Sequence, residues 1–456
     1  MQARRSITAS GVILGFFAFG VALSSGACGG AAPKLKHPTA STDGGVTAVT
    51  TVSNQQGQTV GVSAGPAADS ELTGDAKASY DKGFQAWLSG DLAGAKAAFQ
   101  DAANKAPSAG GPRYSMGCIA ERLGDTQGAL DAYRSSYTAN PKYEIAMGAY
   151  ALLLARSGKG SDAEQFLSSK GSSDSVRLMT YQAEVKSIEG DSPGCQNLAQ
   201  QALTKQPDFK DAMVVIARDL YRNHHWELAK YALVAILDGT DDGTPPRDKG
   251  NGDALLLRAL IERDQGDRKS ALADFDSASQ KRPDLYEAYV NLGEMKLEAG
   301  NASDAQAPLE KAVKYAPSSA IAHLDLGDCY RLLKRAGDAK AEYDKAQGMD
   351  STLAGVHYDL GLLYLFSPNV PGASGQDDQL AKAITELSTF KTMRNAKVKG
   401  PGDDVDDLLS TAKRKQSELQ LKAQAAAAAS AAPPPAASGA APAASGSAAP
   451  ASSGGP

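Results

Sequence analysis

Small residues recur along the middle of the chain at an interval of 34 residues. The positions that share this interval with a neighbour are Gly83, Gly117, Ala259, Gly293, Gly327 and Gly361. In the first unit, Ala95 follows Gly83 by twelve residues, and the aromatic Phe99 comes four residues later. Positions four apart lie on one face of an α-helix. The pattern therefore predicts units of two antiparallel helices that approach closely at their small residues.

Residues that end one helix and start the next stand between the two halves of most units. Glycine is followed by Asp or Asn at Gly90-Asp91, Gly124-Asp125, Gly190-Asp191, Gly266-Asp267 and Gly300-Asn301. Glycine supplies the left-handed conformation that ends a helix, and Asp or Asn caps the start of the following one. Proline, which cannot continue a helix, closes units at Pro107, Pro141, Pro207, Pro283 and Pro317.

These residues resemble the tetratricopeptide repeat, whose period is 34 residues, over residues 76–393. The resemblance implies an all-α fold, a right-handed superhelical solenoid of about nine helix–turn–helix units. We place units 1–5 in residues 73–237 and units 6–9 in residues 252–393, with a loop at 238–251. A capping helix is predicted at residues 394–424, because an end repeat would otherwise expose its apolar face.

The first 27 residues have the features of a secretory signal peptide. Arg4 and Arg5 precede a short apolar stretch that is interrupted by glycines, and small residues then lead to Cys28. Residues 25–28, Ser-Gly-Ala-Cys, resemble a bacterial lipobox. The resemblance implies lipidation of Cys28 and, since no aspartate follows it, an outer-membrane lipoprotein with its repeats in the periplasm. The alternative is ordinary secretion with a free cysteine.

Two segments outside the repeats have compositions that do not support a packed core. Residues 28–72 are rich in Gly, Ala, Ser, Thr and Gln, and we expect a flexible spacer behind the lipidated cysteine. Residues 425–456 consist of Ala, Pro, Ser and Gly without any charged residue. Beyond the polyalanine run at 425–429 they are predicted to form a disordered tail.

Charge and composition exclude several classes of function. The formal net charge is −5, whereas a nucleic-acid binder would carry a basic surplus to neutralise phosphates. Four cysteines in 456 residues are too few for a disulfide framework. We find no phosphate-binding loop, serine elbow, zinc-binding helix or dinucleotide fingerprint. The prediction is a non-enzymatic protein without a cofactor, a metal or a small-molecule substrate.

Histidines and cysteines are the remaining candidates for chemistry. His224 and His225 lie at a predicted turn between helices, and a metal site is disfavoured because no third ligand lies nearby. His323 and His357 are one period apart and are interpreted as packing residues. Three cysteines are predicted to be small core residues, namely Cys118, Cys195 and Cys329.

The concave groove is the surface on which the resembled family binds its partners. The first-helix positions that line it in the family are here aromatic in unit 1, basic with tyrosines in units 2–5 and acidic in units 6–8. We predict a groove for an extended or helical peptide of opposite charge polarity; the alternative is a solvated charged face. The predicted groove residues are Tyr80, Phe84, Trp87, Arg122, Arg156, Arg177, Tyr181, Arg218, Tyr221, Arg222, Glu294, Glu298, Asp325 and Asp328.

The lipid anchor, the spacer and the repeats together favour a scaffold of the cell envelope. Such a scaffold would bind protein or peptide partners and assemble a machine for motility, pilus formation or secretion. The repeat number and the Ala/Pro/Ser/Gly-rich ends resemble myxobacterial repeat lipoproteins, including those of gliding motility. The alternative is a lipoprotein activator of a periplasmic cell-wall synthase. An enzyme is disfavoured, because the loops at 238–252 and 367–378 are short and lack a nucleophile–base pair.

Overall fold

The computed structural model describes residues 65–66, 72–239, 243, 245–393 and 404–431. The predicted signal peptide, Cys28, most of the spacer and the tail from residue 432 lie outside these ranges. Within the described ranges the chain forms nineteen α-helices and no strand.

The helices follow one another as antiparallel pairs, one pair for each unit. The first five pairs are α1 Gly74–Leu88 and α2 Leu92–Lys105, α3 Gly111–Arg122 and α4 Thr126–Ala139, α5 Glu144–Arg156 and α6 Gly160–Ser169, α7 Val176–Ile188 and α8 Ser192–Lys205, and α9 Lys210–Arg222 and α10 Trp226–Leu237. The next four are α11 Gly252–Asp264 and α12 Arg268–Lys281, α13 Tyr286–Glu298 and α14 Ala302–Tyr315, α15 Ala320–Leu332 and α16 Ala336–Met349, and α17 Ala354–Phe366 and α18 Gln376–Met393. The last helix is α19 Val405–Ala431. The predicted all-α solenoid is confirmed.

Small residues at the repeating interval allow the two helices of a unit to touch. A Cβ atom added at Gly117 would lie 2.4 Å from the ring of Tyr133, and one at Gly83 would lie 2.7 Å from the ring of Phe99. Both rings are fully buried. A larger side chain at either glycine would therefore push the paired helices apart.

The predicted caps between paired helices are formed in four units. In each, an aspartate side chain accepts a hydrogen bond from the backbone N–H three residues ahead, and the preceding glycine has a positive φ. These aspartates are Asp91, Asp125, Asp191 and Asp267. Asn301 occupies the same place before α14 but makes no side-chain cap. The caps satisfy donors that a helix start leaves without an intrahelical partner.

The apolar core continues across the long loop between α10 and α11. Leu233 and Ile236 of α10 belong to the same buried cluster as Leu256 of α11. The loop itself folds back onto α10, since the backbone N–H of Asp248 donates to the oxygen of Ile236 at 2.8 Å. The two groups of units therefore form one continuous solenoid.

The C-terminal helix covers the apolar end of the ninth unit. Val405, Leu409 and Ala412 of α19 are buried in the last core cluster. The helix continues through the polyalanine run to Ala431, because alanine has the highest helix propensity. No helix in the described part of the chain is long and apolar enough to cross a membrane.

The solenoid turns far enough for its first units to meet its later ones. The Tyr315 hydroxyl donates a hydrogen bond to the backbone oxygen of Leu88 at 2.8 Å, across 227 positions of sequence. Ser318 Oγ donates to the backbone oxygen of Arg122 at 2.9 Å, across 196 positions. We call this junction, where residues 87–90 and 122–124 meet residues 282–286 and 314–318, the seam. Units 1 and 2 are thus joined to the turns that border unit 7.

Candidate partner-binding groove

All fourteen predicted groove residues lie on the first helices of their units. The buried ones are Tyr80, Trp87, Arg122, Tyr181, Arg218, Tyr221 and Asp328. The half-buried ones are Phe84, Arg156, Arg177, Arg222, Glu294, Glu298 and Asp325. Their role in partner binding stays a prediction. Their burial shows that the inner face of the solenoid is built largely from contacts within the chain.

The aromatic cluster of unit 1 is mostly enclosed. The ring of Tyr80 lies 5.0 Å from that of Phe99, and its hydroxyl shares a hydrogen bond of 2.9 Å with Ser115 Oγ. Trp87 is 2% exposed. Phe84 is half-buried, so it is the member of the predicted trio that keeps part of its ring accessible to a partner.

Ion pairs between neighbouring units compensate the basic residues of units 3 and 4. Arg156 Nη1 lies 3.0 Å from Glu121 Oε2 of unit 2, and Arg177 Nη1 lies 3.6 Å from Asp211 Oδ2 of unit 5. Burial raises the pKa of Asp211 to about 6, although Arg177 acts in the opposite direction. The predicted basic stretch is therefore a series of paired charges rather than an uncompensated positive surface.

A compact charge cluster joins units 4 and 5. Glu184, which is 1% exposed, lies 3.0 Å from Arg218 Nη1 and 2.5 Å from Arg222 Nη2. Burial opposes ionisation of Glu184, but the two guanidinium groups hold its pKa below the ordinary value. Removing one member of such a buried set leaves a charge without compensation. We call these three residues the unit 4–5 cluster.

Acidic residues of the later units are engaged in the same way. The Tyr221 hydroxyl of unit 5 donates to Asp264 Oδ2 of unit 6 at 2.6 Å. Asp328 Oδ1 accepts from the Tyr343 hydroxyl at 2.7 Å. The ion pairs of the predicted acids are Glu294–Arg263, Glu298–Arg268 and Asp328–Arg331. Two of these pairs connect unit 6 to unit 7 and so hold the register between repeats.

A second buried charge cluster lies at the seam. Arg122 is 3% exposed, and its Nη2 donates to the backbone oxygen of Asp284 at 3.0 Å. Arg282 Nη2 donates to Asp284 Oδ2 at 2.9 Å. Burial opposes ionisation of Asp284, but Arg282 and then Arg122 hold its pKa below the ordinary value. We call Arg122, Arg282 and Asp284 the seam cluster.

Two aromatic rings hold the Arg122 guanidinium in place. Its Cζ lies 5.3 Å from the ring centroid of Trp87 and 4.9 Å from that of Tyr286. Cation–π contacts of this kind are strengthened where water is excluded. Arg122 and Trp87, predicted as groove residues, are thus part of the contact that closes the solenoid on itself.

Sequence reasoning missed the later half of the seam. Asp284 and Ser318 lie in turns between units, and Tyr286 is the first residue of α13. Their contacts with Arg122 span more than 160 positions of sequence. A repeat pattern predicts contacts between adjacent units. No local signal marks a contact that depends on the accumulated turn of several units.

His323 and His357 are paired with carboxylates, whereas His224 and His225 are exposed. His323 Nδ1 bonds to Glu342, and His357 Nδ1 bonds to Glu386 Oε2 at 2.7 Å. No group of three or more potential metal ligands occurs in the described part of the chain. The three cysteines of the repeats are free and buried, and burial raises the pKa of the Cys118 thiol to about 12. A thiol in that state is a poor nucleophile.

A family model described as tetratricopeptide repeat matches residues 80–144, 114–171, 256–305 and 291–354. The repeats within these ranges are tetratricopeptide repeats. The matched ranges lie in units 1–3 and 6–8, and the same helix pairing continues through the other units. This fold serves as a scaffold for protein–protein interaction, on the concave surface of the solenoid. Comparison with curated proteins gives no match.

Several solved structures are similar to the chain at low identity. A tetratricopeptide repeat protein from Parabacteroides merdae is 16% identical, with a TM-score of 0.35, over 55% of this chain and 97% of its own. The anaphase-promoting-complex assembly Cut9–Hcn1 is 14% identical, with a TM-score of 0.40, over 76% and 78%. MamA from Desulfovibrio magneticus is 20% identical, with a TM-score of 0.33, over 40% and 92%. These values are too low to transfer a function.

Proposed function

We propose that this protein is a lipid-anchored scaffold of the cell envelope that binds extended segments of partner proteins along its inner face. The observation that carries the proposal is the inner face itself, where ion pairs between successive first helices fix the repeats relative to one another. A preorganised surface loses little conformational entropy when a peptide binds. Extended or helical peptides are the ligands that grooves of this kind accommodate.

The envelope location is supported by the N-terminal sequence. Residues 1–27 have the order of a secretory signal, and Cys28 follows the small residues at which a lipoprotein signal is cleaved. A multiply acylated cysteine gives stable membrane attachment, whereas a single chain is marginal. The spacer behind it would then separate the repeats from the membrane, and a motility, pilus or secretion apparatus is the kind of partner complex expected.

Lipidation is tested by metabolic labelling with a palmitate analogue. We expect label on the full chain and its loss in Cys28→Ser, together with a shift of the protein from the membrane to the soluble fraction. Unlabelled wild-type protein in the soluble fraction would contradict the anchor and leave ordinary secretion.

The groove is tested by affinity capture from detergent-solubilised membranes with Glu294→Lys. Glu294 is half-buried on the inner face, so the reversed charge should weaken recovery of a bound partner at least tenfold. The matched control is Asp276→Lys, which reverses an exposed acid on α12. Equal recovery with both variants would contradict binding at the inner face. Capture of a cell-wall synthase whose activity rises on binding would assign the activator role instead of the machine scaffold.

A further inference from the structure

Residues 65 and 66 of the predicted spacer lie inside the folded body. Gly65 and Pro66 are buried, although they precede the first helix by eight residues or more. A Cβ atom placed on Gly65 would lie 2.7 Å from Asp284 Oδ2 and 3.3 Å from Arg282 Nη2. The spacer backbone therefore passes directly over two members of the seam cluster.

This contact accepts glycine and rejects other residues. At 2.7 Å from a carboxylate oxygen a side chain does not fit, and that carboxylate is held by Arg282 and so is not free to move aside. Pro66 restricts its own φ and disfavours the helical region for the residue before it. In a Gly-Pro pair, the glycine has no side chain and so allows close approach of the backbone, and the proline favours an extended conformation.

The seam cluster has donors that are suited to such a backbone. Arg122 Nε and Nη1 are buried, and neither has a hydrogen-bond partner among the described residues, so that Gly65 and Pro66 leave both donors to the carbonyl oxygens of a longer bound segment. Buried donors without acceptors are rare and costly. Carbonyl oxygens of an extended peptide are acceptors of the right chemistry, whereas a helical peptide has most of its carbonyls engaged internally.

We infer that the seam cluster is a binding site for an extended Gly-Pro segment and that the chain's own residues 65–66 occupy it. The inference rests on the proposed function, since it names the chemistry of the segment that the inner face accepts. A partner segment with the same features competes with the internal one. The spacer then has two roles, because it separates the repeats from the membrane and covers this site until a partner displaces it.

The test uses the full chain and a fluorescent peptide with the sequence of residues 60–70. Gly65→Trp does not fit over Asp284 and should release the internal segment, so this variant should bind the peptide at least tenfold more tightly than the wild type. The control is Gly45→Trp, the same substitution twenty residues earlier in the spacer, which should bind the peptide as the wild type does. Circular dichroism confirms that the helices are retained, since residue 65 lies before α1.

Specificity is tested with a second peptide that carries Gly65→Trp. It should not bind the released site. Equal affinity of the wild-type chain and the Gly65→Trp chain for the first peptide, or no binding to either, would overturn the inference. If the peptide test failed but Glu294→Lys still reduced the capture of membrane partners, the proposed function would stand without this inference. If both tests failed, partner binding at the inner face would be contradicted as well.

Discussion

The unit 4–5 cluster and the seam cluster have the same chemistry but join different parts of the chain. In the first, Glu184 meets Arg222 across 38 positions, which is close to one repeat period. In the second, Arg122 meets Asp284 across 162 positions. Both bury a carboxylate between two guanidinium groups and lower its pKa.

This difference separates two levels of organisation in the solenoid. Contacts between adjacent units set the angle at which each repeat stacks on the next, and the unit 4–5 cluster acts at that level. The seam cluster acts only when the angles of several units have accumulated into a turn. We therefore expect the first to control the stability of the array and the second to control its dimensions.

The largest loss of stability should follow Glu184→Gln. The substitution keeps the shape of the side chain but leaves the buried Arg218 and the half-buried Arg222 without their carboxylate. Breaking a buried ion pair in this way typically costs about 3–5 kcal/mol, which urea unfolding followed by circular dichroism would measure. Lys77→Ala removes an exposed ion pair with Asp81 and should leave the midpoint unchanged. A loss as small as that of the control would show that the cluster is not essential to the array.

A smaller loss of stability with a larger change of shape should follow Arg122→Ala. Asp284 keeps Arg282, so the unfolding free energy should fall by about 1.5–3 kcal/mol, as for a hydrogen bond to a charged group. Small-angle scattering should show a larger radius of gyration because the seam opens. Arg134→Ala, at an exposed position on α4, is the control. An unchanged radius would mean that adjacent-unit contacts alone set the turn.

Packing within a single unit is tested by a pair of glycine substitutions. Gly117→Ala places a methyl group 2.4 Å from the ring of Tyr133 and should destabilise the chain by about 1–3 kcal/mol through overpacking. Gly348→Ala in α16 has nothing within 4 Å of the added atom and should stabilise it by about 0.4–1 kcal/mol. Thermal unfolding of both variants would show whether each substitution raises or lowers the stability. A change in the same direction for both would contradict the close contact between the paired helices.

Asp211 should make the stability of the chain depend on pH. Its pKa is raised from 3.8 to about 6 by burial, so the folded state holds a proton that the unfolded state releases. The stabilisation is complete below the unfolded pKa and is lost as the pH rises through about 6. The Asp211→Asn variant does not lose stability in this way, so its free energy of unfolding relative to that of the wild type should rise between pH 4 and pH 8. If the difference between the two free energies stayed constant over that range, a raised pKa at Asp211 would be contradicted.

The sequence by itself determined the repeat, because each signal acts over a few residues. Gly117 and Tyr133 are sixteen positions apart in one helix pair, and Asp125 caps the helix that begins at the next residue. Period, caps and prolines therefore predicted the pairs of antiparallel helices, and the family resemblance that they support implied the all-α solenoid and the first-helix positions of the inner face. Local geometry and helix propensity were sufficient for this.

Only the tertiary structure decided what the inner-face residues contact. The charges of Arg156 and Glu184 were evident, but whether they face a partner or a neighbouring unit depends on the stacking angle between repeats. The seam depends on that angle summed over about six units, and small differences in it would place Asp284 far from Arg122. The contact of Gly65 with Asp284 was the least predictable, since the two residues are far apart in sequence and no pattern near Gly65 specifies the contact.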